Sequence, residues 1–368
     1  MTKEKKFKKR KLWQKIIICL LLIILIIVLV FSALIGYLTL TEFNPDKEVP
    51  LKLTGKSQTE AVYKSKELTA VSWNIGYGAL GSDADFFMDG GKSVDTADKD
   101  EVNKNLKGIS SELNSLNPDF ILLQEVDTDA KRSSYINEAS KLQSELLNQD
   151  YQSSFAENFK VKFIPYPIPP IGKVNAGIMT LSKSKISEAT RVQLPCPFKW
   201  PTRVANLKRC LSINRLPIEG SDKELVIVNL HLEAYDDGDG KKAQAEMLRK
   251  YLQAEADKGN YVIAGGDFNQ TFSGADTSII KQFNGTWKPP VLDTDKFDKS
   301  WQFLMDTKTA SCRSLDKPLT SLNTNKFQFY IIDGFIVSSN IEVTSLETKQ
   351  MGFKNTDHNP VVLKFKLK

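Results

Sequence analysis

The sequence predicts one α/β domain carried behind a single membrane-spanning helix, and three observations predict it. A long charge-free apolar run follows a basic N-terminus. A helix, a turn and a buried strand ending in an acidic residue occur in that order twice. The only two histidines among the 368 residues both sit at the margins of strand-like runs.

Residues 1–15 hold eight Lys/Arg against one acid, Glu4, so this tail is +7 and the remainder of the chain, out of a total of +6, is −1. The high overall pI therefore comes from the tail and is not the footprint of a nucleic-acid-binding domain. Residues 16–40 carry no charge and interrupt their apolar run only at Ser32, Gly36, Tyr37 and Thr39. A membrane span needs about 20 such residues. The basic flank puts the N-terminus in the cytoplasm and the bulk of the chain outside, as a single-pass cell-membrane protein. The run is too long for the apolar region of a cleaved signal peptide, and Tyr37-Leu38-Thr39-Leu40 is a poor cleavage site. Residues 41–66 are polar, contain Pro45 and Pro50, and read as a stalk.

The domain, residues 67–368, begins with a strand from Leu68. Val71, Trp73 and Ile75 alternate with Ala70, Ser72 and Asn74. A Gly- and Asp-rich loop follows, containing Asp83, Asp85 and Asp89, for which no role is evident. Val102, Leu106, Ile109, Leu113 and Leu116 recur at helical spacing. Asn117-Pro118-Asp119 ends that helix, and Phe120 to Leu123 is a buried strand delivering Gln124-Glu125. The second unit repeats this order. Met247, Leu248, Tyr251 and Leu252 lie on a helix, Gly259-Asn260 turns, Tyr261 to Ala264 is a strand, and Asp267 follows. Further strands are expected at 176–181, 210–216, 225–232, 330–337 and 360–367. The proline-stiffened stretch 163–171 can be neither helix nor central strand. It reads as a packed loop or as a rim touching substrate or membrane.

Cys19 lies in the apolar run, and the three remaining cysteines are an odd number, so no disulfide framework is indicated. Cys196 and Cys210 could pair but are read as free thiols. No Cys/His cluster has zinc spacing. Asp236-Asp237-Gly238-Asp239-Gly240 is similar to part of a calcium loop but lacks the distal Glu, so it reads as a solvated loop.

The polar residues at strand ends fall in the motifs Ser72-Trp73-Asn74-Ile75, Leu123-Gln124-Glu125-Val126, Asn229-Leu230-His231-Leu232, Gly266-Asp267-Phe268-Asn269, Ile332-Asp333-Gly334-Phe335 and Asp357-His358-Asn359-Pro360-Val361. Singly, Asp267, Asn269 and Asp333 also suit plain turns, Glu125 a solvated strand end, and Asn74 a cap. Six motifs in this order resemble the endonuclease/exonuclease/phosphatase (DNase I-like) superfamily over residues 69–368. The resemblance implies a four-layer α/β sandwich of two mixed β-sheets flanked by helices, with the site at strand ends on one edge.

It also implies roles. Glu125 is the principal ligand of a divalent metal, Mg²⁺ or Mn²⁺, with Asn74 and Asp357 close to the metal or its waters. Asp267 takes the proton of the attacking water and Asn269 orients the water or the phosphate. His358, oriented by Asp333, stabilises the phosphoryl oxygen, and His231 adds a second cationic donor. The implied protein is a membrane-anchored, extracytoplasmic, metal-dependent phosphohydrolase, read first as a phosphodiesterase. Its substrate is a phosphate ester: nucleic acid, nucleotide or lipid head group. Its other partner is the lipid bilayer, through residues 16–40, and no protein partner is predicted. The alternatives are a DNase I-like nuclease, a lipid head-group phosphodiesterase or phosphatase, and a non-catalytic module on the same fold. The near-neutral domain lacks the cationic surplus of a nuclease, and every expected catalytic position is filled, unlike in a dead module.

Overall fold

The computed structural model describes residues 3–146, 150–236, 238–320, 322 and 324–368; the readings that touch Met1, Thr2 and Asp237 lie outside the described residues. In chain order the strands are β1 (Glu48–Pro50), β2 (Leu53–Gly55), β3 (Leu68–Asn74), β4 (Phe120–Asp127), β5 (Gln152–Ile164), β6 (Gly172–Ser182) and β7 (Glu188–Gln193). These are followed by β8 (Cys210–Pro217), β9 (Glu224–His231), β10 (Tyr261–Asp267), β11 (Gln302–Leu304), β12 (Asp333–Val337), β13 (Ile341–Thr348) and β14 (Val361–Leu367). The helices are α1 (Lys3–Leu40), α2 (Lys99–Leu116), α3 (Glu138–Glu145) and α4 (Asp239–Asp257).

Two seven-stranded mixed sheets result, ordered β1-β7-β8-β9-β10-β12-β11 and β13-β14-β3-β4-β6-β5-β2. Each contains one parallel pair, β9–β10 and β3–β4. Parallel neighbours need a crossover, supplied by α4 and α2 respectively. Alternation along the strands then sorts the core. Ala70, Phe120, Leu122, Leu225, Ile227 and Ile263 meet between the sheets. Val71, Trp73, Ile121 and Leu123 face α2 and α3, while Val226, Val228 and Val262 face α4. The α2 start is fixed by Asp98, whose side chain accepts from Glu101 N at 2.9 Å, a side-chain cap on a free helix-end amide.

Residues 41–66 are not a free stalk. β1 pairs with β7 and β2 pairs with β5, so this segment closes one edge of each sheet, and Ala61 and Val62 are buried. Edge pairing uses main-chain groups, so a polar sequence is no obstacle to it. The strand expected at 330–337 is split: Phe329–Tyr330 pairs with Cys312–Arg313 in a separate two-stranded ribbon, and the main-sheet strand begins at Asp333. Phe163 and Ile164 still belong to β5, and the rest of the proline-rich stretch is the turn into β6. All four cysteines are free. Asp236 is a helix cap: its Oδ2 accepts from Gly238 N and Lys241 N, and Lys241 Nζ pairs with Oδ1 at 2.9 Å.

One position next to the strand ends admits only glycine. Gly266 has φ +154°, and a Cβ there would lie 1.9 Å from Leu230 O on the neighbouring strand. Gly266→Ala is expected to lower unfolding stability by more than about 2 kcal/mol. Gly352→Ala, at φ +66° with open space around it, should cost only about 1 kcal/mol of left-handed strain. Denaturant unfolding followed by tryptophan fluorescence compares the two.

Candidate functional site

Three adjacent strand ends place a row of functional groups in register. Asp267 at the end of β10 lies opposite His231 on β9 and opposite Asp333 on β12. From the other sheet, β3 delivers Asn74, whose Nδ2 donates to Asp267 Oδ2 at 3.1 Å and to Glu125 Oε1 at 3.0 Å. The loop before β14 brings His358, held where Trp73 Nε1 donates to its carbonyl at 2.9 Å. His358 Nδ1 meets Asp333 Oδ2 at 2.8 Å, and its Nε2 lies 3.8 Å from Asp267 Oδ2. His231 Nε2 approaches the same oxygen at 3.5 Å. Asn269 donates its backbone N–H to Asp267 Oδ1 at 2.8 Å, and its Nδ2 donates to Leu232 O. Asp357 accepts from Thr356 Oγ1 at 3.2 Å, and that hydroxyl also reaches Asn74 O. All eight residues singled out in the sequence therefore gather at one edge of the sandwich.

Glu125 is re-aimed by a bulge. The β4–β6 register shifts between Leu123 and Val126, and Glu125 takes φ +54°. Bulges commonly turn a side chain out of the pleat beside a site. Here the bulge leaves Glu125 half-buried while its neighbours on β4 are buried. Asn269 at φ +51° and Tyr77 at φ +40° are likewise left-handed. Such non-glycine conformations cost of order 1–3 kcal/mol each and persist only where packing enforces them.

The electrostatics divide the two imidazoles. Burial works against a charge on His358, but the Asp333 carboxylate outweighs it and holds the group well above its ordinary range. Burial, reinforced by the positive charges of Arg209 and His358, holds His231 well below. The second cationic donor expected at His231 is thus a neutral ring. Its Nδ1 has no hydrogen-bond partner among the described residues. Burial and the negative charge of Asp333 push Asp267 up to about 7, against the opposing pull of His358, Asn269 and Asn74.

Oxygen donors for a divalent cation lie at the Glu125 end. Burial first, then the charges of Glu125 and Asp89, raises Asp357 to about 6. Asp89 is itself raised to about 6 by crowding and by Glu125, although its side chain still meets solvent. Glu125, Asp357 and Asp89 thus bring three carboxylates to one end of the site, and although His358 and Arg313 offset part of their charge, this oxygen donor set fits a hard cation. Asn74 turns its amide nitrogen to Glu125, because its Oδ1 accepts from Gly76 N at 3.0 Å. Its amide nitrogen therefore positions Glu125, while its Oδ1 keeps a second lone pair. Two other groups, Cys312–Asp357–His358 and Asp267–Asp333–His358, have donor atoms within 4.8 Å of one another. Burial pushes the Cys312 thiol up to about 12, which keeps it neutral and a poor ligand. In both groups His358 Nδ1 is already engaged by Asp333.

Several supporting residues had no motif to announce them. Arg132 forks onto buried Asp127 at 2.8 and 3.0 Å and stacks over Tyr77, 3.8 Å from the ring centroid. Arg209 pairs with Glu233 and donates to His231 O at 3.2 Å. Gln124 Nε2 donates to Asn229 Oδ1 at 2.8 Å, and Asn229 Nδ2 donates to Leu123 O and Met179 O, tying the sheets together just behind the site. Asn229 was visible as a polar residue in an apolar run; the arginines were not.

A two-sheet sandwich with carboxylates and imidazoles converging at its strand ends is the architecture of a phosphoester hydrolase. The chain belongs to the endonuclease/exonuclease/phosphatase family, whose sequence model matches residues 71–317. The last two motifs, at Asp333 and at Asp357-His358, lie beyond that match and join the site by geometry. No curated protein matches the chain. Among solved structures, an endonuclease/exonuclease/phosphatase from Beutenbergia cavernae DSM 12333 is similar in fold, with a TM-score of 0.55 and 17% identity, covering 82% of this chain and 72% of that one. The structure of ANGEL2, a 2′,3′-cyclic phosphatase, has a TM-score of 0.54 and 12% identity, covering 87% and 98%. The human Nocturnin catalytic domain with bound sulfate has a TM-score of 0.50 and 18% identity, covering 86% and 98%. At these identities the likeness is one of fold.

With two histidines in the chain, NMR can follow both imidazoles without ambiguity. In the metal-free chain, His358 should titrate above the ordinary range near pH 6.5 and His231 below it. Asp333→Asn should bring His358 down and leave His231 the lower of the two. Coincident titration of both rings near pH 6.5 would contradict the charge assignment.

Proposed function

We propose that this chain is a divalent-metal-dependent phosphohydrolase, read first as a phosphodiesterase, anchored by residues 16–40 with its catalytic domain on the extracytoplasmic side. The observation that carries the reading is the line of contacts Asp333–His358–Asp267–Asn74–Glu125, hydrogen-bonded except for the 3.8 Å approach of His358 to Asp267, which sets an imidazole, a buried carboxylate and a second carboxylate in a row across both sheets. The anchor reading rests on the apolar stretch of α1 from Lys11 to Leu40, which is long and apolar enough to cross a membrane, and on the basic tail before it.

In this reading the attacking water gives its proton to Asp267, whose raised affinity suits transfer near neutral pH. The Asn269 N–H and Asn74 Nδ2 hold that carboxylate in place. His358, protonated and fixed through Nδ1 by Asp333, points Nε2 at the phosphoryl oxygen that gains charge. His231, neutral, turns Nε2–H toward the same centre. Preorganised donors of this kind each contribute a few kcal/mol. When bound at Glu125 and Asp357, Mg²⁺ or Mn²⁺ withdraws charge from the phosphate oxygens.

Small or lipid-borne phosphate esters are favoured over long polyanions, because nucleic-acid binding draws its affinity from released counterions at basic surfaces and the chain beyond its basic tail carries a net charge of −1. The substrate is tested by assaying the detergent-solubilised full chain with Mg²⁺ on DNA, RNA, lipid head-group diesters and phosphomonoesters. Preferred turnover of DNA would reverse this ranking.

On the best substrate, His358→Ala should lower kcat by about 10²-fold or more. The loss should be non-additive with His231→Ala, because both act on one transition state. Near-normal turnover of His358→Ala would sink the mechanism. Chelation should abolish activity, and Glu125→Gln should raise the metal concentration giving half-maximal rate, with the fold intact by circular dichroism. Full turnover in excess chelator would sink the metal assignment.

A further inference from the structure

The membrane helix does not end in free space. Its last turns land on the domain: Leu38 is buried and Leu34 half-buried in a cluster with Val161, Ile164, Val174 and Val204. Polar contacts lock the landing. Trp200 Nε1 donates to Thr39 Oγ1 at 3.0 Å, and Glu42 pairs with Arg203 at 2.9 Å and with Lys208 at 3.0 Å. The charge-free part of the helix that stays fully exposed therefore runs only from Ile16 to Ala33. At 1.5 Å per residue it spans about 27 Å, close to the hydrocarbon thickness of about 30 Å. The bilayer boundary then falls near Leu34, where the β5–β6 hairpin begins its turn.

The turn itself has the composition of a membrane-interface element. Ile168 is 92% exposed, Tyr166 75% and Trp200 58%, with Phe163 also in the open. Lys162 and Lys199 are exposed beside them. Aromatic rings gather at the level of lipid head groups, and flanking lysines favour anionic ones. An exposed group of large apolar side chains at a free tip calls for a cover.

We infer that the β5–β6 turn, with Tyr166 and Ile168 at its tip, and Trp200 form a second contact with the lipid bilayer. The contact rests on the anchor reading given above. With the helix it gives the domain two points of attachment, which fixes its tilt. Lys131 Nζ donates to Pro170 O at 3.2 Å, so the turn is tied to the loop that carries Arg132 onto Asp127 at the end of β4. The tilt thereby sets the distance from the lipid surface to the rim of the site.

The test uses the full chain in nanodiscs of phosphatidylcholine and phosphatidylglycerol, with Cys19→Ser and Cys196→Ser removing the two less buried thiols. An environment-sensitive dye is attached at Ile168→Cys or, as a control on the far β8–β9 turn, at Glu219→Cys. Lipids bearing a nitroxide near the head group should quench the dye at 168 about twofold or more and leave the dye at 219 unaffected. Adding Tyr166→Glu should relieve the quenching without changing turnover of a soluble phosphodiester. An intact chain whose dye at 168 stays as bright as that at 219 overturns the contact and leaves the hydrolase reading standing. Shielding that persists in detergent and grows with protein concentration identifies a second copy as the cover and also overturns it. An intact mass lacking residues 1–40 overturns the anchor and this contact together.

Discussion

Asp267 is taken out of water by both sheets at once, and in the proposed reaction it must still receive a proton. Its two oxygens are held by groups of separate origin: the Asn269 N–H from its own turn and Asn74 Nδ2 from the opposite sheet. A buried carboxylate with one such bond missing would shift toward its neutral form or drag in water. The packing of the two sheets, with Gln124 and Asn229 clamped between them, is therefore also what sets the chemistry of this one group. The site lies across the seam of the sandwich, so neither sheet alone contains it.

The rest of the edge shows how such a site is kept from collapsing on itself. Five carboxylates, those of Asp89, Glu125, Asp267, Asp333 and Asp357, crowd a small region. Asp333 is committed to His358, and Asp267 is separated from Glu125 by the Asn74 amide. Asp127, one strand position beyond the bulge, is neutralised by the fork from Arg132, and Ser133 Oγ adds a third bond to it at 2.9 Å. Among the described residues no salt bridge reaches Glu125 or Asp357, and at Asp357 the charges of His358 and Arg313 only partly offset burial and those of Glu125 and Asp89. The end where the sequence motifs imply a metal is thus the part of the edge with the least direct charge pairing. The left-handed backbone at Glu125 and Asn269 has a place in the same account, because strain is held where packing on both sides fixes a functional side chain.

The parts of this fold legible in the sequence were those buried on both faces. β3, β4, β9 and β10 are apolar runs ending in a polar residue, so burial and function both mark them. β5 was missed because Gln152-Ser153-Ser154 and Glu157-Asn158 interrupt its apolar residues; it lies next to the edge strand β2 and packs only part of each face. β13, at the opposite edge, is polar for the same reason. β1 and β2 are three residues each and held by main-chain pairing, which leaves almost no trace in side-chain pattern. The eight residues singled out in the sequence all lie at or near strand margins: Asn74, His231 and Asp267 end strands, Asn269 follows one, Asp333 begins one, Asp357 and His358 precede one, and Glu125 sits in the bulge near the end of β4. Arg132, Arg209 and Tyr77 were not readable there, since each acts through a partner that only the folded chain brings near.

The two histidines make the limit of sequence reading concrete. They are the same residue at comparable strand-end positions, and both face one oxygen of Asp267. Their charges are nonetheless opposite in tendency, because the partner behind each ring differs. Behind His358 stands a carboxylate, Asp333, on the neighbouring strand β12. Near His231 stands Arg209, whose guanidinium donates to the backbone carbonyl of that same histidine. One ring is thus prepared to carry a proton and the other to stay without one, so the pair places a single positive charge beside Asp267. Two imidazolium rings there would repel each other and, by stabilising the Asp267 carboxylate too strongly, make it a weaker base. The asymmetry is set by Asp333, which a motif announces, and by Arg209, which none does, and it leaves one ring inclined to hold a proton and one inclined to stay neutral beside the same carboxylate.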